Sequence, residues 1–239
     1  MESALHYVSS PDRCGYLPDR DWRFENVYVL EMTPAEYGSY LEKGWRRFGR
    51  TLFRPRCEKC TACQSLRIPV AQFQPNRSQK RNAALNAGDV ALKVATPRLT
   101  ARKLALFDRY HIHQSANKGW PEHSGKEPDE YRAHFLDNPI PTEEWRYFLG
   151  QSLVGVGYVD VMPDALSAIY FFYEPEERSR GLGIWNVLCL IEQARLRGLT
   201  YVYLGYFVPG CTTMQYKSGF LPNERRQPNG VWRGFPDKG

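Results

Sequence analysis

"ALSAIYFFYEPEERSRGLGIWNVLCLIEQARLRG" occupies residues 165–198 and changes pattern twice. Residues 165–173 are almost continuously apolar and rich in aromatic side chains. Such a run reads as a strand buried on both faces, at the centre of a sheet. From Leu182 the pattern becomes a long apolar helix. Between the two, "RSRGLG" (178–183) sets glycines at the helix start. Glycine lets backbone approach a ligand closely, and a helix start presents N–H groups without intrahelical partners. That combination suits an anion, most often a phosphate. It is not a dinucleotide fingerprint, because the third glycine and the distal acid are missing. Nor is it a P-loop, since no Gly-Lys-Ser/Thr is present. A plain glycine turn opening a helix is the simpler alternative.

Outward from this core the pattern is mixed. "EWRYFLGQSLVGVGYVDVM" (144–162) reads as a hairpin turning at Gly150–Gln151, and "TYVYLGYFV" (200–208) as a strand. "TTMQYKSGF" (212–220) reads as a short helix ending at Gly219, and "GVWRGF" (230–235) supplies a last strand. Upstream, "LTARKLALFDRYHIHQSA" (99–116) and "EPDEYRAHFLDNP" (127–139) are helical. "TPAEYGSYLEKG" (33–44) is a helix with Thr33 as its cap, Pro34 in its first turn and Glu36 completing a capping box. "WRRFGRTLFRP" (45–55) is a hairpin with Gly49 in the turn, and "SLRIPVAQF" (65–73) is a strand. The fold class is α/β of mixed order: a mixed sheet flanked by helices, with a cysteine-containing module at the amino terminus. A polar, basic stretch separates the halves, which divide as 1–90 and 91–239.

The 239 residues carry a formal net charge of +6, and 14% are aromatic. The aromatic content excludes a disordered chain. The positive charge favours an anionic partner, such as nucleic acid or a coenzyme phosphate. No apolar stretch approaches the roughly 18 residues of a spanning helix. The first residues lack the pattern of a signal peptide, so the expected location is the cytoplasm, where thiols stay reduced.

Cys57, Cys60 and Cys63 stand in C-x-x-C-x-x-C spacing within "RPRCEKCTACQSLRIP" (54–69), and Cys14 lies in "RCGYLP" (13–18). Three thiols so spaced can face one metal from a single loop, with Cys14 completing a tetrahedral shell. Thiolates suit zinc or an iron–sulfur cluster, and spacing does not choose between them. Reduced, unliganded thiols are the alternative. Cys189 is expected in the core, and Cys211 in a structural or substrate-lining place. No Ser-His-Asp or Cys-His signature accompanies them.

The order of strand, R-x-x-G-x-G turn, helix, strand and "YKSGF" (216–220) resembles the GNAT superfamily of N-acyltransferases. A closer resemblance covers residues 10–225. "CGYLPDR" (14–20), "LFRPRCEKCTACQSLRIPV" (52–70) and "NRSQKR" (76–81) look like the amino-terminal half of the aminoacyl-tRNA–protein transferases. "YFFYEPEERSRGLG" (170–183) and "YLGYFVPGCTTMQYKSGFLPNE" (203–224) look like their carboxy-terminal half. This family comprises the arginyl-transferases and their bacterial leucyl-transferase relatives. The three-cysteine run and short length are similar to the leucyl branch. That resemblance implies a GNAT-like carboxy-terminal half in which the turn holds the acceptor end of tRNA. It implies transfer of leucine from leucyl-tRNA to proteins beginning with Asp or Glu, marking them for degradation. Arginyl transfer to the same acceptors is the alternative; a coenzyme-A-dependent acetyltransferase or a non-catalytic RNA-binding module are more distant ones.

Residue by residue, the backbone of Arg180, Gly181, Leu182 and Gly183 is expected to hold the acceptor phosphates, with Arg178, Arg180 and Lys217 adding charge. Arg77, Lys80 and Arg81 form a cationic patch suited to a tRNA backbone. Tyr170, Tyr173, Tyr201, Tyr203 and Tyr206 offer aromatic faces for unpaired bases, although strand alternation keeps all five from sharing one face. The donor ester is already activated and the attacking α-amine has a pKa near 8, so the chemistry needs mainly positioning, an oxyanion donor and a weak base, with no cofactor. Tyr206 and Tyr216 are the candidates for orienting the ester or moving a proton. Glu174 is the candidate base, with helix capping beside the turn as its alternative.

Overall fold

A computed structural model describes residues 1–236. The chain begins with strands β1 (Glu2–Val8), β2 (Asp12–Arg13), β3 (Asp21–Trp22) and β4 (Phe24–Glu31), followed by helix α1 (Pro34–Glu42). Then come the hairpin β5 (Arg46–Phe48) and β6 (Thr51–Pro55), strand β7 (Gln64–Pro69), helix α2 (Arg77–Asn86) and strand β8 (Val90–Ala95). Helices α3 (Ala101–Lys118) and α4 (Pro128–Phe135) lead into β9 (Thr142–Leu149), β10 (Ser152–Val161) and β11 (Ala165–Tyr173). Helix α5 (Leu182–Leu196) and strands β12 (Tyr201–Phe207), β13 (Asn223–Arg226) and β14 (Trp232–Phe235) complete it. The capping box of α1 forms as read: Thr33 accepts from the Glu36 amide, and Glu36 accepts from the Thr33 amide at 2.8 Å.

An eight-stranded sheet in the order β14-β13-β7-β12-β11-β10-β9-β8 is the spine of the molecule. Its β11–β12 pair is parallel, and the others are antiparallel. A parallel neighbour requires a crossover, and α5 supplies it. One face of the sheet buries Leu66, Leu166 and Val202 against Leu182, Leu190 and Ile191 of α5. The opposite face carries two clusters. Tyr37 and Leu41 of α1 and Leu52 of β6 pack on Ala165 and Tyr203. Phe107 of α3 and Tyr131 and Phe135 of α4 pack on Val156, Tyr158 and Phe172. Each fully buried side chain of this kind contributes about 1.5–3 kcal/mol.

A smaller sheet, β1-β4-β6-β5, lies on that second side. Arg47 of β5 ties it to the large sheet through a buried ion pair with Asp160 of β10, its Nε donating to Asp160 Oδ2 at 2.9 Å. Its remaining N–H groups go to Gly49 O, Asn138 Oδ1, Thr142 Oγ1 and Asp160 Oδ1. All five donors of the guanidinium are therefore used.

The large sheet draws strands from both halves of the sequence. The expected division at 90/91 falls inside β8, and β7 lies between β12 and β13. Without β7, β12 would be an open edge. One expected element differs in extent. The strand over 65–73 stops at Pro69, and Val70–Gln72 is a 3-10 turn; proline cannot donate into a ladder. The short helix expected over 212–220 forms as a 3-10 helix, Thr212–Gly219, and ends at Gly219 as read.

Candidate active site

The parallel strands β11 and β12 pair only from Ala165 to Ser167 against Tyr201 to Tyr203 and then part. A register shift in β12 between Tyr203 and Gly205 bends it away, with Gly205 at φ +77°. The gap opens into a cleft of about 790 Å³. Phe48, Phe53, Trp120, Tyr170, Phe171 and Leu204 supply much of its apolar wall, and Arg46 and Lys118 bring positive charge to it, with Lys217 beside them. Among the described residues that line it there is no aspartate or glutamate.

Gly181 and Gly183 reach this cleft from the α5 side. Pro175–Arg180 forms a 3-10 turn, and Gly181 caps α5 in the left-handed region at φ +61°. Leu182 and Gly183 open the helix, where N–H groups have no carbonyl one turn back. Two asparagines of α2 hold the turn: Asn82 Nδ2 and Asn86 Nδ2 donate to Arg180 O at 2.8 and 2.9 Å. The backbone of the turn is thus preformed, as anion binding at a helix start requires. The side chains around it divide. Leu182 is buried in the core under α5. Arg180 is tied inward to Glu177 at 3.1 Å and Asp89 at 3.2 Å, so its charge fixes the turn to the end of α2. Arg178 is exposed, and so are Arg77, Lys80 and Arg81 of α2, which make no ion pair among the described residues. The helix that holds the turn therefore also carries the cationic patch.

A Cβ on Gly183 would meet nothing within 4 Å, whereas one on Gly181 would lie 2.7 Å from Asn82 Nδ2. Gly183→Val consequently fills the cleft side of the turn without disturbing its supports. It is expected to raise KM for the aminoacyl-tRNA donor that the resemblance implies about tenfold or more, a cost of about 1.4 kcal/mol, with the urea unfolding midpoint little changed. Normal KM in that variant would leave the turn a helix start and nothing more.

Of the proton-handling candidates, Tyr206 is committed elsewhere. It is buried, its hydroxyl donates to Gly44 O at 2.9 Å, and burial holds the phenol well above its ordinary pKa. Its carbonyl has the chemical interest, since it accepts from Lys217 Nζ at 2.8 Å. Burial, and then the nearby Arg46 charge, pull the Lys217 ammonium down to about 7. Tyr216 lines the cleft mouth with 45% of its surface open. Glu174 lies outside the cleft lining and pairs with Arg109 at 2.7 Å, which answers its charge. Tyr170, Tyr173 and Tyr206 line the cleft. Tyr201 and Tyr203 do not; they belong to the cluster beneath α1, where the Arg67 guanidinium stacks on Tyr201 at 3.8 Å.

The sequence reading missed Arg46. It is 6% exposed and lies in the gap between the parted strands. Its Nη1 donates to Ser167 Oγ at 3.1 Å and its Nη2 to Ala168 O at 2.5 Å. Adjacent arginines in a short hairpin carry no signal of which one enters a cleft.

Two family models divide the chain between them. "Arginine-tRNA-protein transferase, N terminus" matches residues 12–81, and "Arginine-tRNA-protein transferase, C terminus" matches residues 102–227. The chain belongs to the arginine-tRNA–protein transferase family. Among its relatives, an aspartate/glutamate leucyltransferase of Chromobacterium violaceum is 35% identical over 98% of this chain and 96% of its own length. Another of that name, from Halorhodospira halophila, is 39% identical over 92% of each. Among solved structures, a GCN5-related glucosamine N-acetyltransferase region of a fungal multi-domain protein covers 81% of this chain and 22% of its own. It aligns at a TM-score of 0.43 and 12% identity. The transferase acts on aminoacyl-tRNA and on proteins, and none of its described helices is long and apolar enough to cross a membrane.

Cys14, Cys63 and Cys211 of the transferase lie near Tyr16. Burial and then the neighbouring Cys57, Cys14 and Cys60 push the Cys63 thiol up to about 12. The other sulfurs engage protein groups: Arg20 Nη1 donates to Cys60 Sγ at 3.2 Å and the Tyr16 amide to Cys14 Sγ at 3.4 Å, while Cys57 Sγ donates to Arg23 O at 3.8 Å. Among the described residues no group of three or more Cys, His, Asp or Glu is arranged to hold a metal ion. Cys189 and Cys211 are buried, the latter within hydrogen-bond reach of Thr213 Oγ1.

Proposed function

We propose that the chain is a cytoplasmic leucyltransferase, moving leucine from leucyl-tRNA to the α-amino group of proteins that begin with Asp or Glu. The observation that carries this reading is the charge of the cleft: apolar and aromatic walls, the cations Arg46 and Lys118 without an acidic partner, and no lining carboxylate among the described residues. A leucyl side chain suits such walls. An arginyl donor would bring a second guanidinium beside Arg46 with no acid to receive it, and like charges brought together in a desolvated site repel. An acidic acceptor has the opposite match. The names of the relatives, aspartate/glutamate leucyltransferase, agree with both halves of the reading.

The acceptor nitrogen attacks the ester carbonyl carbon with its lone pair, and a C–N bond forms. The C–O bond to the terminal ribose then breaks, and that oxygen leaves as a hydroxyl carrying one proton. The nitrogen releases one proton to neutral Lys217, held at 2.8 Å from Tyr206 O, and Lys217 passes that proton to the departing ribose oxygen, which restores its neutral form. No covalent enzyme intermediate is needed. The free N–H groups at the start of α5 hold the acceptor phosphates, and exposed Arg178, Arg77, Lys80 and Arg81 meet the rest of the tRNA backbone.

The test is a side-by-side assay with labelled leucyl-tRNA, arginyl-tRNA and acetyl-CoA against peptides beginning with Asp, Glu or Ala. Label is expected from leucyl-tRNA on the Asp and Glu peptides. Equal transfer from arginyl-tRNA would overturn the donor, and label from acetyl-CoA alone would overturn the reaction.

A further inference from the structure

We infer that Arg46 is the residue that reads the acceptor, binding the side-chain carboxylate of an N-terminal Asp or Glu at the floor of the cleft; this rests on the reading above for what the acceptor is. The contrast with its neighbour carries the argument. Arg46 and Arg47 are adjacent on β5, and both are buried. Arg47 meets Asp160 and spends every donor. Among the described residues Arg46 meets no carboxylate. Its described partners are neutral, Ser167 Oγ and Ala168 O, and three of its five N–H groups are unused. A permanent charge withdrawn from water without a counter-ion is strongly disfavoured, and it persists where a ligand supplies the missing charge.

The other cations of the cleft do not fill this role. Arg47 is neutralised by Asp160, and Lys217 spends a donor on Tyr206 O. Lys118 sits at the last turn of α3, at the rim. Arg46 also comes from the correct side. The turn that holds the donor belongs to α5, on one face of the large sheet, while β5 reaches the gap from the opposite face. Two substrates that react directly must meet in one opening. A carboxylate anchored on Arg46 brings its own α-amine toward the gap from the face across from the donor. Gly205 makes room for this: a Cβ there would lie 3.3 Å from Arg46 Nη2 and 3.4 Å from its Nε. The planar guanidinium suits a carboxylate, which it can grip with two parallel N–H bonds.

The test compares peptides beginning with Asp and with Asn, equal in shape and different in charge. Binding is measured by fluorescence anisotropy and leucine transfer by kcat/KM, for the wild type, R46K and R46Q. R46Q is expected to lower kcat/KM for the Asp peptide by about 10²- to 10³-fold. The Asn peptide should change by no more than about threefold, so that the preference for charge collapses in both binding and transfer. R46K should retain an intermediate preference. A purely structural role for Arg46 would depress both peptides alike, and that result overturns the assignment. So does a raised KM for leucyl-tRNA with the Asp-to-Asn ratio unchanged, which would make Arg46 a phosphate contact. If the wild type binds Asp over Asn through Arg46 yet transfers no leucine, the assignment stands and the leucyltransferase reading falls.

Discussion

Replacing Asp160 with alanine is expected to destabilise the protein by about 3–5 kcal/mol, because it strands a buried cation. Asp160 is fully buried on β10, and the Arg47 side chain is 1% exposed. Burial works against the charge on Arg47, but the Asp160 carboxylate outweighs it and holds the guanidinium pKa above its ordinary value. Alanine leaves that cation in the core with three neutral acceptors, Gly49 O, Asn138 Oδ1 and Thr142 Oγ1. Removing both charges, as in R47M/D160L, should restore part of the loss, because a well-packed apolar pair avoids the stranded charge. Urea unfolding of the three proteins measures this, and a loss under about 1 kcal/mol for D160A would mean that water reaches the pair. The pair also matters to the site. It pins β5 to β10, and β5 carries Arg46 into the cleft. Loosening the anchor should therefore lower transfer in conditions where the protein is still folded.

The two neighbouring arginines mark how far the sequence could be read. Periodicity and punctuation carried the scaffold: the apolar 165–173 strand, the 33–44 helix and the hairpin at Gly49 all formed near where they were expected. Those elements owe their form to local signals, a capping box or a strand buried on both faces. The strands missed lack such signals. Residues of β1 are all exposed and β8 is an edge strand with buried and open positions mixed, so neither shows an apolar alternation. The placement of β7 between β12 and β13 depends on pairing across more than 130 residues, which no local pattern encodes.

At the site, the glycine turn was legible because helix-start chemistry is local, but the use made of its arginines was not. Arg178 and Arg180 look alike in the sequence. Ion pairs with Asp89, which arrives from beyond the end of α2, and with Glu177 separate the structural Arg180 from the exposed Arg178. The pairing of Glu174 was hidden for the same reason, its partner Arg109 coming from α3. Arg46 escaped notice because its importance lies in what it lacks: a carboxylate, in a place where Arg47 has one.

Lys217→Met is expected to lower kcat about 10²- to 10⁴-fold, the range for loss of a general base, and to remove one limb of the pH profile. The sign follows from the cause. Burial and the Arg46 charge disfavour the ammonium, so Lys217 sheds its proton near pH 7 instead of 10.5 and is neutral above that point. A base must be neutral to accept a proton, so activity rises with pH through about 7. The acceptor α-amine, with a pKa near 8, must also be neutral to attack. In the wild type, log(kcat/KM) should therefore climb with a slope approaching two below pH 7. The variant should keep only the slope of one that belongs to the amine. Should K217M lose activity while its slope stays at two, Lys217 would be a prop for the Tyr206 carbonyl, and the base would be another group. Stability offers an independent reading of the same proton. Between pH 7 and 10.5 the unfolded chain binds the Lys217 proton and the folded chain does not, so wild-type stability should rise with pH across that window. Methionine carries no proton to lose, and the part of that rise due to Lys217 should vanish with it.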